Sequence, residues 1–193
     1  AVQTVLVAAL DQCSRFAPRE DAAAREWLFD VLQKADSDPW RNKVRRAWGQ
    51  PALESLVKDV DVRQHPPSFL LLVVWALPLE SPIRLHLARR VQFAYPGDFW
   101  ANHDLGLTLH YAGKHAEAIP LLEDTLRRRQ ATLGPDDTLT LFSLDNLASA
   151  HRAAGKYERA IALHQEALDR RKATEGPDHP HTLATMGNLA QAY

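Results

Sequence analysis

The 193-residue chain has a single cysteine, Cys13, which excludes a disulfide framework and any metal centre built on several thiolates. With no oxidised framework to maintain, a reducing, cytoplasmic compartment is the expected setting. Charge of one sign is also missing: 23 lysines and arginines stand against 24 aspartates and glutamates. Nucleic-acid binders carry a clear basic excess, so nucleic acid is not an expected partner. No apolar run approaches the roughly 20 residues that span a bilayer. The longest, Phe69 to Leu79, reaches little more than half that length and predicts a buried helix. The apolar start of the chain lacks the basic segment and cleavage pattern of a signal peptide. No membrane insertion is expected.

Sustained alternation with β-branched residues is absent as well, and nearly every segment has helical period instead. With 46% hydrophobic residues, the chain is long enough to bury one extended core or two small ones. The spacing predicts helices from Val2 to Phe16, Glu20 to Lys34, Pro39 to Ala47, Ala52 to Val60, Pro67 to Leu77 and Pro82 to Ala94. Five more follow, from Asp98 to Tyr111, His115 to Ala131, Asp136 to Ala153, Tyr157 to Ala173, and His179 to the end. Asp38-Pro39 pairs an N-cap with a proline at the first helical position. Gly97, Gly113, Gly134, Gly155 and Gly176 are expected to close helices in the left-handed conformation. The class is all-α. The chain starts at Ala1 and stops at NLAQAY, which reads as a piece of a larger protein.

A repeat then organises the second half. DLGLTLHYAGKHAEAI (104–119) returns as NLASAHRAAGKYERAI (146–161). The same offset, 104 to 146, carries Leu105 to Leu147 and Leu189, Gly106 to Ala148 and Ala190, and Gly134-Pro135-Asp136 to Gly176-Pro177-Asp178. A fixed period of this size marks stacked helix pairs. The pattern Leu144-x-x-Leu147-Ala148-x-x-His151, then Ala160-x-x-x-His164, resembles the tetratricopeptide repeat. An earlier copy reads Asn102-x-x-Leu105-Gly106-x-x-Leu109, then Ala118-x-x-x-Leu122. The usual unit is about 34 residues long. The period here is longer, and its extra length in ATLGPDD and ATEGPDHP is similar to kinesin-light-chain repeats. A worn copy is placed upstream around Leu71 and Trp75, with Leu72 and Arg84 where small residues are expected.

The resemblance implies a right-handed α-solenoid. Its expected layout is an N-terminal helical cap at 1–64 and an array at 65–193, divided as 65–98 (degenerate), 99–140, 141–182 and a partial 183–193. A second resemblance covers DSDPWRNKVRRAW, DVRQHPPSFLLLVVWAL and YPGDFWANHDLGLTL, which look like a region following the catalytic domain in large bacterial serine/threonine kinases. The chain has no glycine-rich loop, strand lysine motif or Asp-Phe-Gly. His103-Asp104-Leu105 lacks the arginine of a catalytic loop. The expectation is a non-catalytic binding module needing no cofactor, with a regulatory, substrate-recruiting arm of a kinase as the alternative.

In a stacked array the first helices of the pairs line a concave face that takes peptides. Helical spacing places Trp100, His103, Leu107, His110 and Tyr111 on that face, then Phe142, Asp145, Ser149 and Arg152, and finally Gly187 and Gln191. Aromatic and hydrogen-bonding side chains together suit recognition, although Trp100 and Phe142 also suit the seam between repeats. Asn146 and Asn188, one period apart, join the set. In kinesin-light-chain-like repeats an asparagine here is common, which implies a hold on a partner's backbone. A hydrogen bond to the neighbouring helix suits these two equally well.

Nine histidines raise the question of metal. His179-Pro180-His181 is the tightest pair, but the proline is expected to turn the rings apart, and no third ligand converges. No metal site is expected. Cys13, at Val5-Val7-Leu10 spacing, reads as a buried thiol rather than a nucleophile. Arg127-Arg128-Arg129 and Arg170-Arg171-Lys172 read first as solvated charge matching helix C-termini, and second as a ridge for an acidic peptide. Arg41, Lys43, Arg45 and Arg46 share a short helix that Trp40 and Trp48 anchor to the core. Leu183, Met186 and Leu189 in the last helix are expected to leave an apolar edge that promotes self-association.

Overall fold

The computed structural model describes residues 7–11 and 22–193. Every regular element among them is helical, as expected. Residues 7–11 are helical, while Cys13 and the rest of the first expected helix lie outside the described residues. The helices are α1 (Ala22–Ala35), α2 (Pro39–Arg46), α3 (Ala52–Val57), α4 (Pro67–Ala76), α5 (Pro82–Ala94), α6 (Phe99–Tyr111), α7 (His115–Leu133), α8 (Thr138–Ala153), α9 (Tyr157–Thr174) and α10 (Pro180–Ala190). A 3₁₀ turn at Val62–Gln64 was not foreseen. No helix among the described residues is long and apolar enough to cross a membrane.

Local chemistry sets the starts and stops. The Asp38 carboxylate accepts the Arg41 N–H at 2.7 Å, and the Ser81 hydroxyl accepts that of Ile83 at 3.3 Å, each just before a proline. Such caps satisfy amides that the first helical turn leaves without partners. Asp137 accepts the Leu139 N–H at 2.8 Å and caps α8, which begins at Thr138, two residues later than expected. Gly113 and Gly155 stop α6 and α8 with φ of 75° and 74°, a conformation nearly reserved for glycine. Gly97 is a correction: it has no positive φ, since α5 already ends before Tyr95-Pro96, and Gly49 has one instead.

The chain divides into two compact units, residues 1–101 and 102–193. In the first, α4 is apolar on all sides, and Phe69, Leu70, Leu71, Val73 and Val74 are buried. It packs on α5, which supplies Leu87, Ala88 and Val91. Trp40 donates its ring N–H to the Leu56 carbonyl at 3.1 Å and stacks on His65 at 4.1 Å. Trp40 thus anchors α2 as expected of it. Arg84 is buried, with its guanidinium 4.5 Å over the Trp75 ring and a hydrogen bond to the Leu77 carbonyl. A residue read as too large for its place thus packs along its stem.

The second unit is a stack of helix pairs. Gly106 on α6 faces α7 so closely that a Cβ there would lie 3.2 Å from the Leu121 Cβ. Its counterpart Ala148 is fully buried, as are Ala118 and Ala160. Small residues let paired helices approach, and Leu122, Leu144, Leu147 and Leu163 fill the remaining space. α8 packs on both α7 and α9, and α9 packs on α10. Residues 102–193 are therefore a helical-repeat solenoid, the architecture that the fixed period predicts.

Candidate functional site

The residues assigned to the concave face divide by helix. On α6, every residue from Asn102 to Leu109 is buried, His103 and Leu107 included. The spacing separates one face of a helix from another, but it cannot report that a helix is covered all round. At its end His110 is half-buried and Tyr111 exposed; Trp100 is half-exposed and belongs to the first unit. The His110 and His115 Nδ1 atoms approach to 3.2 Å. Burial, then His115, then Arg152 push the His110 imidazole below its ordinary range, so it is neutral at physiological pH.

On α8 and α10 the picture differs. Asn146, Ser149 and Arg152 are half-buried on α8, at helical i, i+3 spacing. Asn188 is half-buried and Gln191 exposed, next to the exposed Gly187. Asn146 corresponds to Asn188, and Ser149 to Gln191, across the repeat period. α8 and α10 touch directly. Accessible polar residues therefore form two repeat-related rows on neighbouring first helices.

Asp145 is placed otherwise. Its side chain turns inward and becomes the hub of α8, α9 and α10. It meets His164 Nδ1 at 3.0 Å and Arg171 Nη2 at 3.3 Å, and accepts the Thr185 hydroxyl at 2.8 Å. The side chains of His164 and Arg171 are both 0% exposed. Asp145 is thus a weak probe of a binding face, since any substitution disturbs the stack. Phe142, 38% exposed, bridges both roles. Its ring lies 4.7 Å from the Arg171 guanidinium and edge-on to His181 at 4.8 Å.

The arginine runs also need correcting. Their outer members are at the surface, where Arg127 and Arg128 pair with Asp124 and Arg170 pairs with Asp136. Arg129 and Arg171, which share one register of the repeat and face inward, are buried. Arg129 donates to the Leu139 carbonyl at 3.0 Å and the Ser143 hydroxyl at 2.6 Å, tying α7 to the next first helix. Neither solvated charge nor a surface ridge describes this pair. A guanidinium needs several fixed acceptors when buried, and each repeat junction supplies them.

The expected divergence of His179 and His181 does not occur. Their rings lie 4.7 Å apart, and both face Glu175, with Nδ1 atoms 2.9 and 3.4 Å from the same carboxylate oxygen, Oε2. A ligating atom from each of the three lies within 4.8 Å of the others. Proline at the first helical position sets one tight turn, so ring directions follow from capping rather than from strand-like alternation. Burial raises the Glu175 carboxyl, but the Arg171 charge and the Thr138 hydroxyl outweigh it and hold the group below its ordinary range. It is a carboxylate at neutral pH.

Two overlapping stretches, residues 98–173 and 141–193, match the sequence profile of the tetratricopeptide repeat. No curated protein matches the chain.

Proposed function

We propose, on the premise that residues 98–193 are a tetratricopeptide repeat array, that this chain is a non-catalytic scaffold holding a partner peptide along its first helices. Tetratricopeptide repeats generally mediate protein–protein interaction, and the carrying observation is the pairing of Asn146 with Asn188 and Ser149 with Gln191. Asn146 and Ser149 on α8 recur at the period of the array as Asn188 on α10 and Gln191 just past its end, and the two helices touch. An asparagine amide donates and accepts in one plane, so a row of them suits the backbone of an extended peptide. Arg152 adds a charge for the partner's carboxylate. His103, Leu107 and Asp145 drop out of the contact set because they are buried, and Phe142 is kept as its apolar edge.

A peptide array probed with the chain tests this reading. Asn146→Ala, Asn188→Ala and Arg152→Ala are each expected to weaken the captured peptide about tenfold, or about 1.4 kcal/mol, with an unchanged melting temperature. Binding that survives all three overturns the proposal.

The kinase-linked alternative rests on segments whose residues have packing roles in the first unit, including Trp40, Arg45 and Phe69. It takes the chain as a non-catalytic arm that recruits substrates to a kinase domain or contacts that domain. Self-association is proposed for a different face. Leu189, also expected at this edge, is buried, while Leu183 and Met186 on α10 are 52% and 41% exposed, an apolar pair that a second copy would cover. Sedimentation velocity is expected to show concentration-dependent growth that Leu183→Glu removes. A monomer at every concentration overturns this part.

A further inference from the structure

The geometry points to a divalent transition-metal site at the α9–α10 junction, formed by Glu175 Oε2, His179 Nδ1 and His181 Nδ1. Two features set this cluster apart from other exposed polar side chains. The first is a surplus of lone pairs. His179 caps α10 by accepting the His181 backbone N–H on Nδ1 at 3.3 Å. In that tautomer the same nitrogen presents no proton to Glu175 Oε2, 2.9 Å away. His181 Nδ1 is buried, makes no hydrogen bond, and stands 3.4 Å from the same oxygen. Three electron-rich atoms converge, and a cation bound there takes over the single Nδ1 lone pair with which His179 otherwise caps α10.

The second feature is the scale of the cluster. Zinc bonds nitrogen and carboxylate oxygen at about 2.0–2.2 Å, so the edge of a tetrahedral shell is about 3.3 Å. The two separations from Glu175 Oε2, 2.9 and 3.4 Å, bracket that edge. The donor set of two imidazoles and one carboxylate suits zinc, cobalt or nickel rather than calcium or magnesium. The side chains of His179 and His181, each 39% exposed, leave room for water to complete the shell.

The other carboxylate oxygen is already fixed. Glu175 Oε1 accepts the Thr138 hydroxyl at 3.2 Å and an Arg171 N–H at 3.3 Å. Such partners orient a ligating carboxylate. The Arg171 charge also touches Oε2, at 3.2 Å, and this weakens the site. Bound metal would pin the start of α10 to the loop that leaves α9. The site makes no use of the peptide-binding face and stands whether or not that reading holds.

Titration of the whole chain with zinc chloride, followed by calorimetry, and with cobalt chloride, followed by visible absorption, tests the site. One ion per chain is expected, with the intense visible bands of cobalt in a low-coordinate nitrogen and oxygen shell. His181→Gln and His179→Asn are each expected to weaken zinc by at least about tenfold. Asparagine preserves the N-cap, so unchanged helicity by circular dichroism separates lost ligation from lost folding. His110→Gln, which removes one member of the His110–His115 pair, is expected to leave binding unchanged. Failure of both ions to bind, as when a proton alone resolves the cluster, overturns the proposal. Parent-like affinity in His181→Gln and His179→Asn overturns it, and so does loss of binding in His110→Gln.

Discussion

Replacing Asp145 with alanine is expected to destabilise the repeat unit by about 3–5 kcal/mol, the usual cost of removing one partner from a buried ion pair. The substitution takes an acceptor from His164 on α9, from Arg171 on α9 and from Thr185 on α10 at once. His164 loses most: its Nε2 makes no hydrogen bond, so loss of the Nδ1 contact leaves a 0% exposed imidazole without a partner. Arg171 keeps Glu175 and the Phe142 ring, which holds the cost below that of an isolated buried charge. Domains are stable by only about 5–15 kcal/mol in total, so the loss is a large part of what keeps the stack folded. Urea denaturation followed by circular dichroism is the measurement, and α10 should detach first because the Thr185 hydroxyl is what ties it to the hub. Asp145→Asn keeps an acceptor without the charge and is expected to cost less than half as much. A loss under about 1 kcal/mol for the alanine variant would mean that apolar packing alone holds the three helices together.

That hub shows where sequence reasoning stops. Helical period, the glycines at 113 and 155 and the fixed repeat offset made the array legible, because each reflects a local or repeated constraint. Asp145 was not legible as a core residue. A carboxylate on an otherwise polar stripe reads as exposed unless the opposing arginine and histidine are known, and both come from a helix 19 to 26 residues away. Arg129 and Arg171 hid inside basic triplets for the same reason: the triplet gives the charge, and only the turn of the helix selects the member that faces inward. The repeat period does not select it either, because the surface arginines Arg128 and Arg170 share that period as well. The convergence of Glu175, His179 and His181 was missed because the glutamate belongs to the preceding helix end, one helical turn's spacing before the first histidine and across a Gly-Pro break that hides the register.

The first unit offers an equally strong test, with pH as the readout. Arg45 is 2% exposed and donates to Asp11 at 2.7 and 2.9 Å, to Asp36 at 2.7 Å and to Asn42 at 2.8 Å. Arg41 adds contacts to Asp36 at 2.6 and 2.5 Å. Burial raises the Asp36 carboxyl, but the hydrogen bonds from Arg41 and Arg45 overcome it and hold the group far below its ordinary range. For Asp11 burial dominates and the carboxyl is raised. A depressed carboxyl contributes stability above the unfolded-state value, about 3.9, that is lost as pH falls through the folded-state value. A raised one contributes the opposite slope, lost as pH rises through its folded-state value. Through Asp36, therefore, the parent should weaken as pH falls below about 4. Arg45→Leu withdraws two hydrogen bonds from Asp11 and one from Asp36, and is expected to cost about 3–5 kcal/mol at neutral pH. Both carboxyls then move upward, more so for Asp11, since Asp36 retains Arg41. The deficit of the variant relative to the parent should therefore shrink as pH falls from 7 toward 5. Urea midpoints at the two pH values decide the matter: parallel behaviour of parent and variant would show that Arg45 acts through its packing against Phe69, 5.1 Å away, and not through the carboxylates it joins.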